Sequence, residues 1–293
     1  HRPGSAAAAR RRAWRCLCLV SQDRPIYTNI AMPFDELPPR CPVDDNPTGL
    51  YRVRLDVPAA WAGRRIVLHF GGVESYGEVF VNGRAAGVIK DSRLPSEFDV
   101  TALVVPGGAN LLAVKVLRWS DSSHIEDQDH FRFSGIHREV FLYSTAAMRI
   151  EDVFAKPGLD AEYRHGSLSV EVRLGHLDPY PQGWRLRLRL RDPQGKEALP
   201  APVEQVLDYQ VRGGVNQAVI QRTRLECPSL PRVQKWSAET PALYTLVVSL
   251  CDPAGQVVEA VSTRIGFRRI ELAHRAVLVN GQRVYFRGVN RHD

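Results

Sequence analysis

The sequence predicts a mainly β protein built from antiparallel sandwiches. Apolar and polar residues alternate strictly along several short runs, such as residues 51–57, and this period of two is typical of a strand with one buried face. Asn82 and Gly83 follow one of these runs and indicate a tight hairpin, because both residues accept positive φ. Helical periodicity is nearly absent, so a helical fold is not expected.

The alternating runs fall into two series, and these define the main parts of the chain. Residues 1–24 show no periodicity and are interpreted as a disordered or mismatched end. Residues 25–146 hold the first series and are predicted to form a jelly-roll β-sandwich. Residues 147–268 hold the second series, with turn signals at short intervals, and are predicted to form an immunoglobulin-like β-sandwich. The clearest runs are residues 51–57, 66–70, 79–82, 112–116 and 140–143, then 168–174, 184–191 and 244–250.

Residues 269–293 are predicted to begin a third domain. Asn280 and Gly281 mark a second hairpin, which runs into the polar sequence Asn290-Arg-His-Asp293. Polar groups at the carboxyl end of a strand are typical of the active-site face of a (β/α)8 barrel. Since nothing follows to bury such a strand, we expect that the barrel is truncated here.

The connection between the runs at 112–116 and 140–143 is far longer than a hairpin turn. It carries Asp121, Glu126, Asp127 and Asp129 among aromatic residues. Long loops with such chemistry are often binding loops held by a rigid scaffold. The alternative is a solvated acidic loop with core aromatics at its base.

The net charge does not indicate a nucleic-acid partner. The formal charge is +7, but five arginines precede the first acid, Asp23, and the balance from that residue onward is only +2. The arginines at alternate positions from 185 to 191 are expected to form the solvated face of a strand rather than a nucleic-acid patch. No apolar run is long enough to cross a bilayer, so no membrane partner is expected.

Cysteine usage favours a reducing compartment. The five cysteines are an odd number and have no zinc-site spacing. Reduced, mostly structural thiols are typical of cytosolic proteins. We therefore expect a cytoplasmic location.

Several segments, taken in order, resemble the amino-terminal part of family 2 glycoside hydrolases, and most closely the large bacterial-type β-galactosidases. The resemblance covers residues 25–293. Each motif is weak alone, but the ordered set is specific. The segments are residues 25–29, 46–49, 91–99, 118–121, 126–129, 134–136, 236–244, 265–268 and 287–292.

This resemblance implies a sugar-binding jelly roll, an immunoglobulin-like domain and the first strand of a catalytic (β/α)8 barrel. It implies retaining hydrolysis of terminal β-galactosides, with both catalytic glutamates beyond residue 293. It also implies Mg²⁺ and an alkali cation, Na⁺, in the complete enzyme. The sequence departs from the family at His137, where an aromatic is usual, and at Asp293, where Glu is usual.

Three residues match substrate-binding positions of the family. Asp121 matches a loop carboxylate that contacts galactose hydroxyls and the alkali cation, and its alternative is a loop cap or surface acid. Asn29 matches a residue that hydrogen-bonds the sugar, and its alternative is an ordinary turn asparagine. His292 matches a histidine of the first barrel strand, and its alternative is a core histidine. Trp119 suits sugar stacking, but its place at the end of a strand favours a core role.

No pair of carboxylates in this chain is predicted to be catalytic. Glu126, Asp127 and Asp129 are neighbours on one loop and cannot lie on both sides of a sugar ring. The chain alone is therefore expected to be inactive, with the missing barrel of the same polypeptide as its partner and a homo-oligomer possible. The alternatives are a sister hydrolase, such as a β-glucuronidase or β-mannosidase, and a non-catalytic carbohydrate-binding or adhesion protein.

Overall fold

The computed structural model describes residues 25–29, 31–127, 129–175, 182–207 and 221–290. These residues form two compact units that divide after Thr145. Nearly all regular structure is antiparallel strand, as predicted. The predicted disordered end, residues 1–24, lies outside the described residues. No helix in the described ranges is long and apolar enough to span a bilayer.

The first unit is a sandwich of a four-stranded and a three-stranded sheet, with a small two-stranded ladder. Its strand orders are β1-β7-β4-β5, β6-β2-β9 and β3-β8. One turn of 3₁₀ helix, Ala59–Trp61, and one short helix, α1 (Ser122–Ile125), complete it. The strands are β1 (Thr48–Asp56), β2 (Arg65–Phe70), β3 (Val73–Glu74), β4 (Tyr76–Val81), β5 (Arg84–Ile89), β6 (Ser96–Asp99), β7 (Ala109–Leu117), β8 (Gly135–Ile136) and β9 (Val140–Thr145).

The alternating residues of the first unit meet in one core between its two large sheets. Phe70 and Leu68 of β2 belong to the same buried cluster as Val79 of β4 and Val114 of β7. The predicted hairpin joins β4 to β5, with Asn82 and the next glycine at φ of 51° and 77°. Burial of the apolar face of each strand determines its register with the neighbouring strands, since a slip of one residue would turn every apolar side chain outward.

The second unit is also a sandwich, with strand orders β10-β11-β14 and β13-β12-β15-β16. Its core includes the leucines at 186, 188 and 190, while the intervening arginines lie on the solvated face and pair with Glu197 and Glu204. This confirms the strand-face interpretation of the arginine row. The strands are β10 (Arg149–Leu159), β11 (Gly166–Gly175), β12 (Arg185–Arg191), β13 (Val203–Val206), β14 (Gln221–Glu226), β15 (Tyr244–Cys251) and β16 (Val257–Ile265).

A three-stranded sheet follows and belongs to the same compact unit. It consists of β17 (Ile270–Ala273), β18 (Ala276–Val279) and β19 (Gln282–Arg283). The predicted turn at Asn280 and Gly281 joins β18 to β19, with φ of 52° and 77°. Residues 284–290 contain no strand, and 291–293 lie outside the described residues. The assignment of residues 269–293 to the start of a barrel therefore stays a prediction.

Candidate functional site

The long loop between β7 and β9 is fixed at its base by Trp119. The side-chain amide of Asn46 donates to the Trp119 carbonyl oxygen and accepts from the Trp119 N–H, each at 2.9 Å. The indole is buried, and the edge of the Phe34 ring packs on it at a centroid distance of 5.3 Å. Trp119 thus has the core role that its position in the strand favours.

Asp121 begins the short helix α1 and forms a surface ion pair. Its Oδ1 accepts from the Ser122 N–H at 3.0 Å, and its Oδ2 accepts from Lys90 Nζ at 3.0 Å. The pKa of Asp121 is lowered, first because the Lys90 ammonium donates to the ionised carboxylate. Asp121 is therefore a helix cap that already has a cationic partner.

Glu126 and Asp127 both have structural partners within the first unit. The two carboxylate oxygens of Glu126 accept from the backbone N–H and the hydroxyl of Ser92, at 2.7 and 2.5 Å. Asp127 accepts from the buried guanidinium of Arg132. Glu126, with both of its oxygens engaged, therefore holds the loop in place rather than facing a ligand, and one oxygen of Asp127 has a structural partner as well.

Asp129 is the loop carboxylate that meets the segment of Asn29. The Tyr27 hydroxyl donates to Asp129 Oδ1 at 2.8 Å. Ile26 pairs with Arg132 as an isolated antiparallel bridge, with N···O distances of 3.0 and 2.9 Å. The pKa of the Tyr27 phenol is raised, first by its hydrogen bond to Asp129 and then by desolvation. The structure thus joins residues 25–29 to the loop at Asp129.

Asn29 lies in an exposed turn at the end of that segment. Its φ is 59°, and the Ala31 N–H donates to the Thr28 carbonyl oxygen at 3.2 Å. This geometry matches the turn interpretation, and it also leaves the side chain on the surface, as contact with a sugar requires. Asn29 and Asp129 both lie close in sequence to the bridge between Ile26 and Arg132. Asp121 instead contacts Lys90. His292 lies outside the described residues.

Aromatic rings continue from this pairing along the loop. Tyr27 packs on Phe131 at 5.2 Å, Phe131 on Phe133 at 6.4 Å, and Phe133 on the His137 ring at 5.7 Å. Tyr27, Phe131 and Phe133 are 53%, 45% and 43% exposed, so the row is partly on the surface. The segment from Asp129 to His137 therefore presents a carboxylate beside an apolar ridge.

Comparison with known families accounts for both units. Residues 13–146 match the model of the glycosyl hydrolases family 2 sugar binding domain. Residues 148–268 match a second model, described as glycosyl hydrolases family 2. The chain belongs to glycosyl hydrolase family 2. The first match begins inside the segment 1–24.

Individual family 2 relatives agree with this assignment. A β-galactosidase of Priestia megaterium is 39% identical over 280 residues, which are 94% of this chain and 26% of the relative. A β-galactosidase of Vibrio vulnificus is 41% identical over 278 residues, with the same coverage of 94% and 26%. The chain thus spans about a quarter of the length of the curated relatives it matches. Among solved structures, a Bacteroides uniformis β-glucuronidase gives a TM-score of 0.71 at 20% identity, over 84% of this chain and 29% of that one. Such a likeness shows the shared fold.

His137, which stands where the family resemblance implies an aromatic residue, combines ring stacking with a polar contact. Its ring stacks on Phe133, and its Nε2–H donates to the Ser92 carbonyl oxygen at 2.9 Å. A Cβ on Gly72 would come within 2.6 Å of the ring, so this close packing depends on a glycine. Burial is the first cause that lowers the pKa of His137 below its ordinary value of 6.5.

The lowered pKa predicts an acid-sensitive first unit. Below about pH 6.5 the unfolded chain binds a proton at His137 more readily than the folded chain, so stability falls as the pH decreases through that value. His137→Phe keeps the stacked ring and removes the titration. We expect the melting temperature of the parent to fall more between pH 7 and pH 5.5 than that of His137→Phe. If the melting temperatures of the two proteins fell equally over this pH range, His137 would not be the source of the acid sensitivity.

Potential metal ligands are not clustered within the described residues. No group of three or more His, Cys, Asp and Glu side chains within them is arranged to hold a metal ion. The Lys90 ammonium, 3.0 Å from Asp121, opposes a second cation at that carboxylate. A hard carboxylate oxygen suits an alkali cation as one ligand, and the remaining ligands would have to come from other residues.

Sequence reasoning identified the acidic loop but not the partners of its carboxylates. Ser92, Arg93 and Glu74 contact the loop from elsewhere in the first unit. In the sequence, residues 91–99 indicate only a resemblance to the family and not a contact with the loop. One signal for the contact between Tyr27 and Asp129 was present in the sequence, because both residues lie in segments that resemble the family.

Proposed function

We propose that this chain is part of a retaining β-galactosidase and forms an edge of its substrate site. The observation that carries the proposal is the pairing of the Asn29 segment with the loop at Asp129. Identities of 39% and 41% to proteins named β-galactosidase support it. In this proposal the two catalytic carboxylates are supplied by parts of the protein outside the 293 residues.

The chemistry of the Asn29–Asp129 edge suits a sugar. A carboxylate accepts hydrogen bonds from two hydroxyls, and an amide both donates and accepts. Asp129 accepts from the Tyr27 hydroxyl, and the partly exposed rings of Tyr27 and Phe131 offer apolar faces that suit the C–H groups of a pyranose. In isolation such an edge binds weakly, because water competes for each hydrogen bond.

The cations implied by the family remain part of the proposal. Asp129, which lies beside the Asn29 segment, is a second candidate for one Na⁺ ligand, next to Asp121, whose carboxylate pairs with Lys90. The sequence-based assignment of Na⁺ and sugar contact to Asp121 stays a prediction that mutagenesis can compare with Asp129. No described residue is assigned to Mg²⁺. Cytoplasmic location and homo-oligomer formation likewise stay predictions.

A chimera tests the function directly. This chain would replace the 280-residue matched region of the Priestia megaterium β-galactosidase. We expect the folded chimera to hydrolyse a chromogenic β-galactoside at least 100-fold faster than the matching β-glucuronide. The parent enzyme is the control for the assay, and circular dichroism is the control for folding. A folded chimera that prefers the glucuronide would favour the sister hydrolase, and one without either activity would contradict the proposal.

A further inference from the structure

We propose that Glu74, Ser92 and Arg93 form a clamp that positions Asp129 for its substrate. The positioned part, here called the acidic segment, consists of residues 126, 127 and 129–133. The role of the clamp in catalysis rests on the proposed function, but its hold on the acidic segment does not.

The Arg93 guanidinium makes four contacts, three of them with the acidic segment and one with Glu74. One guanidinium nitrogen, Nη2, lies 3.0 Å from His130 Nδ1 and donates to the Phe131 carbonyl oxygen at 3.0 Å. The other, Nη1, lies 3.3 Å from Glu74 Oε2. The guanidinium also lies over the Phe133 ring, 5.5 Å from its centroid. A planar fork makes several contacts in fixed directions, which the single ammonium of lysine cannot reproduce.

Glu74 makes the clamp rigid because its carboxylate is buried. The side chain is 7% exposed, and Oε2 also accepts from the Phe133 N–H at 2.9 Å. A buried charge without partners is costly, so this carboxylate keeps both Arg93 and the Phe133 backbone in place. The acidic segment is thereby attached to the strand β3.

Ser92 holds the other end of the acidic segment. It donates from its N–H and its hydroxyl to the two oxygens of Glu126. His130 then closes the segment on itself, since its Nε2–H donates to the Glu126 carbonyl oxygen at 2.9 Å. Asp129 lies between these two anchored ends, next to the residue that Arg93 contacts.

In this arrangement the buried Glu74 and Ser92 help to hold a half-buried carboxylate in position. Asp129 lies on a loop, where positional freedom would be large without anchors. A substrate contact that must be within about 0.5 Å of its productive position needs surrounding residues that fix it. The clamp supplies those contacts from β3 and from the residues between β5 and β6, neither of which contains Asp129.

The first test uses the intact chain and hydrogen exchange. Arg93→Lys retains a positive charge near Glu74 and removes the fork, so the buried carboxylate is not left unpaired. We expect amide exchange in residues 129–133 to become at least tenfold faster, while exchange in β7 stays unchanged. Arg52→Ala, an exposed arginine on β1, is the matched control. Unchanged exchange in Arg93→Lys would overturn the clamp.

The second test separates positioning from general stability. In the chimera described above, Arg93→Lys is expected to lower kcat/KM about tenfold. On an Asp129→Asn background it should have less than a threefold further effect, because the group that it positions is already lost. The positioning role would be overturned if Arg93→Lys lowered kcat/KM by the same factor on both backgrounds, or if it left kcat/KM unchanged in the chimera. An inactive parent chimera would instead overturn the proposed function and with it the catalytic role, while exchange would still decide whether the clamp holds the segment.

Discussion

Purified as the 293-residue chain, the protein is expected to leave a chromogenic β-galactoside unhydrolysed. Retaining hydrolysis needs two carboxylates about 5–5.5 Å apart, one as nucleophile and one as proton donor. The described acids of the long loop instead have structural partners: Lys90 for Asp121, Ser92 for Glu126 and Arg132 for Asp127. The rate should equal the buffer blank, whereas the chimera should turn over at about 1 s⁻¹ or faster.

Contaminating hydrolases are the main source of a false signal in that assay. A preparation of Asp129→Asn, purified in parallel, is the control, because any contaminant would give both samples the same rate. Turnover that follows the protein through two columns and exceeds this control would show that the chain carries its own catalytic pair.

The second large effect is expected at Asp129 in the chimera. Asp129→Asn keeps the size of the side chain and removes its charge, so hydroxyls of the sugar lose a charged acceptor. A hydrogen bond to a charged group that is desolvated on binding is worth about 10–150-fold in affinity. We therefore expect kcat/KM to fall at least tenfold and the response to sodium to weaken.

Asp121→Asn is the matched comparison for that experiment. It removes the ion pair with the half-exposed Lys90, which contributes little in water, so a smaller loss is expected. If Asp121→Asn lowers kcat/KM tenfold and weakens the sodium response while Asp129→Asn does not, the original assignment to Asp121 is correct and the pairing with Asn29 has another role.

Strands with one buried face were predictable from the sequence, including β1 and β9 at sheet edges, whereas the edge strand β10 was not. β7 and β12 alternate cleanly because each lies inside a sheet and buries one side. β10 lies at the edge of its sheet and contains Pro157, which an edge strand tolerates because it needs no N–H there. The two Asn-Gly turns were predictable because the required φ values are intrinsic to those residues.

The partner of each acid in the long loop could not be predicted. Asp121, Glu126, Asp127 and Asp129 lie within nine residues, and local sequence gives each the same chemistry. Their roles differ because their partners are distant in sequence: Lys90 and Ser92 come from the β5–β6 connection and Tyr27 from the segment before β1, while Arg132 belongs to the loop itself. Only the tertiary pairing of Ile26 with Arg132 places Tyr27 against Asp129 rather than against another acid.

The pairing of the Asn29 segment with the loop also has a consequence for the order of folding. Tyr27 and Asp129 are 102 residues apart, whereas the hairpin of β4 and β5 closes across a two-residue turn. Closing a long loop costs more entropy, and contacts of high sequence separation form slowly. The isolated bridge at Ile26 offers few bonds in return for that closure. We therefore expect a refolding chain to regain its sheet signal first and protection of the Ile26 and Arg132 amides last, so that a compact, sheet-rich chain precedes one able to hold a ligand.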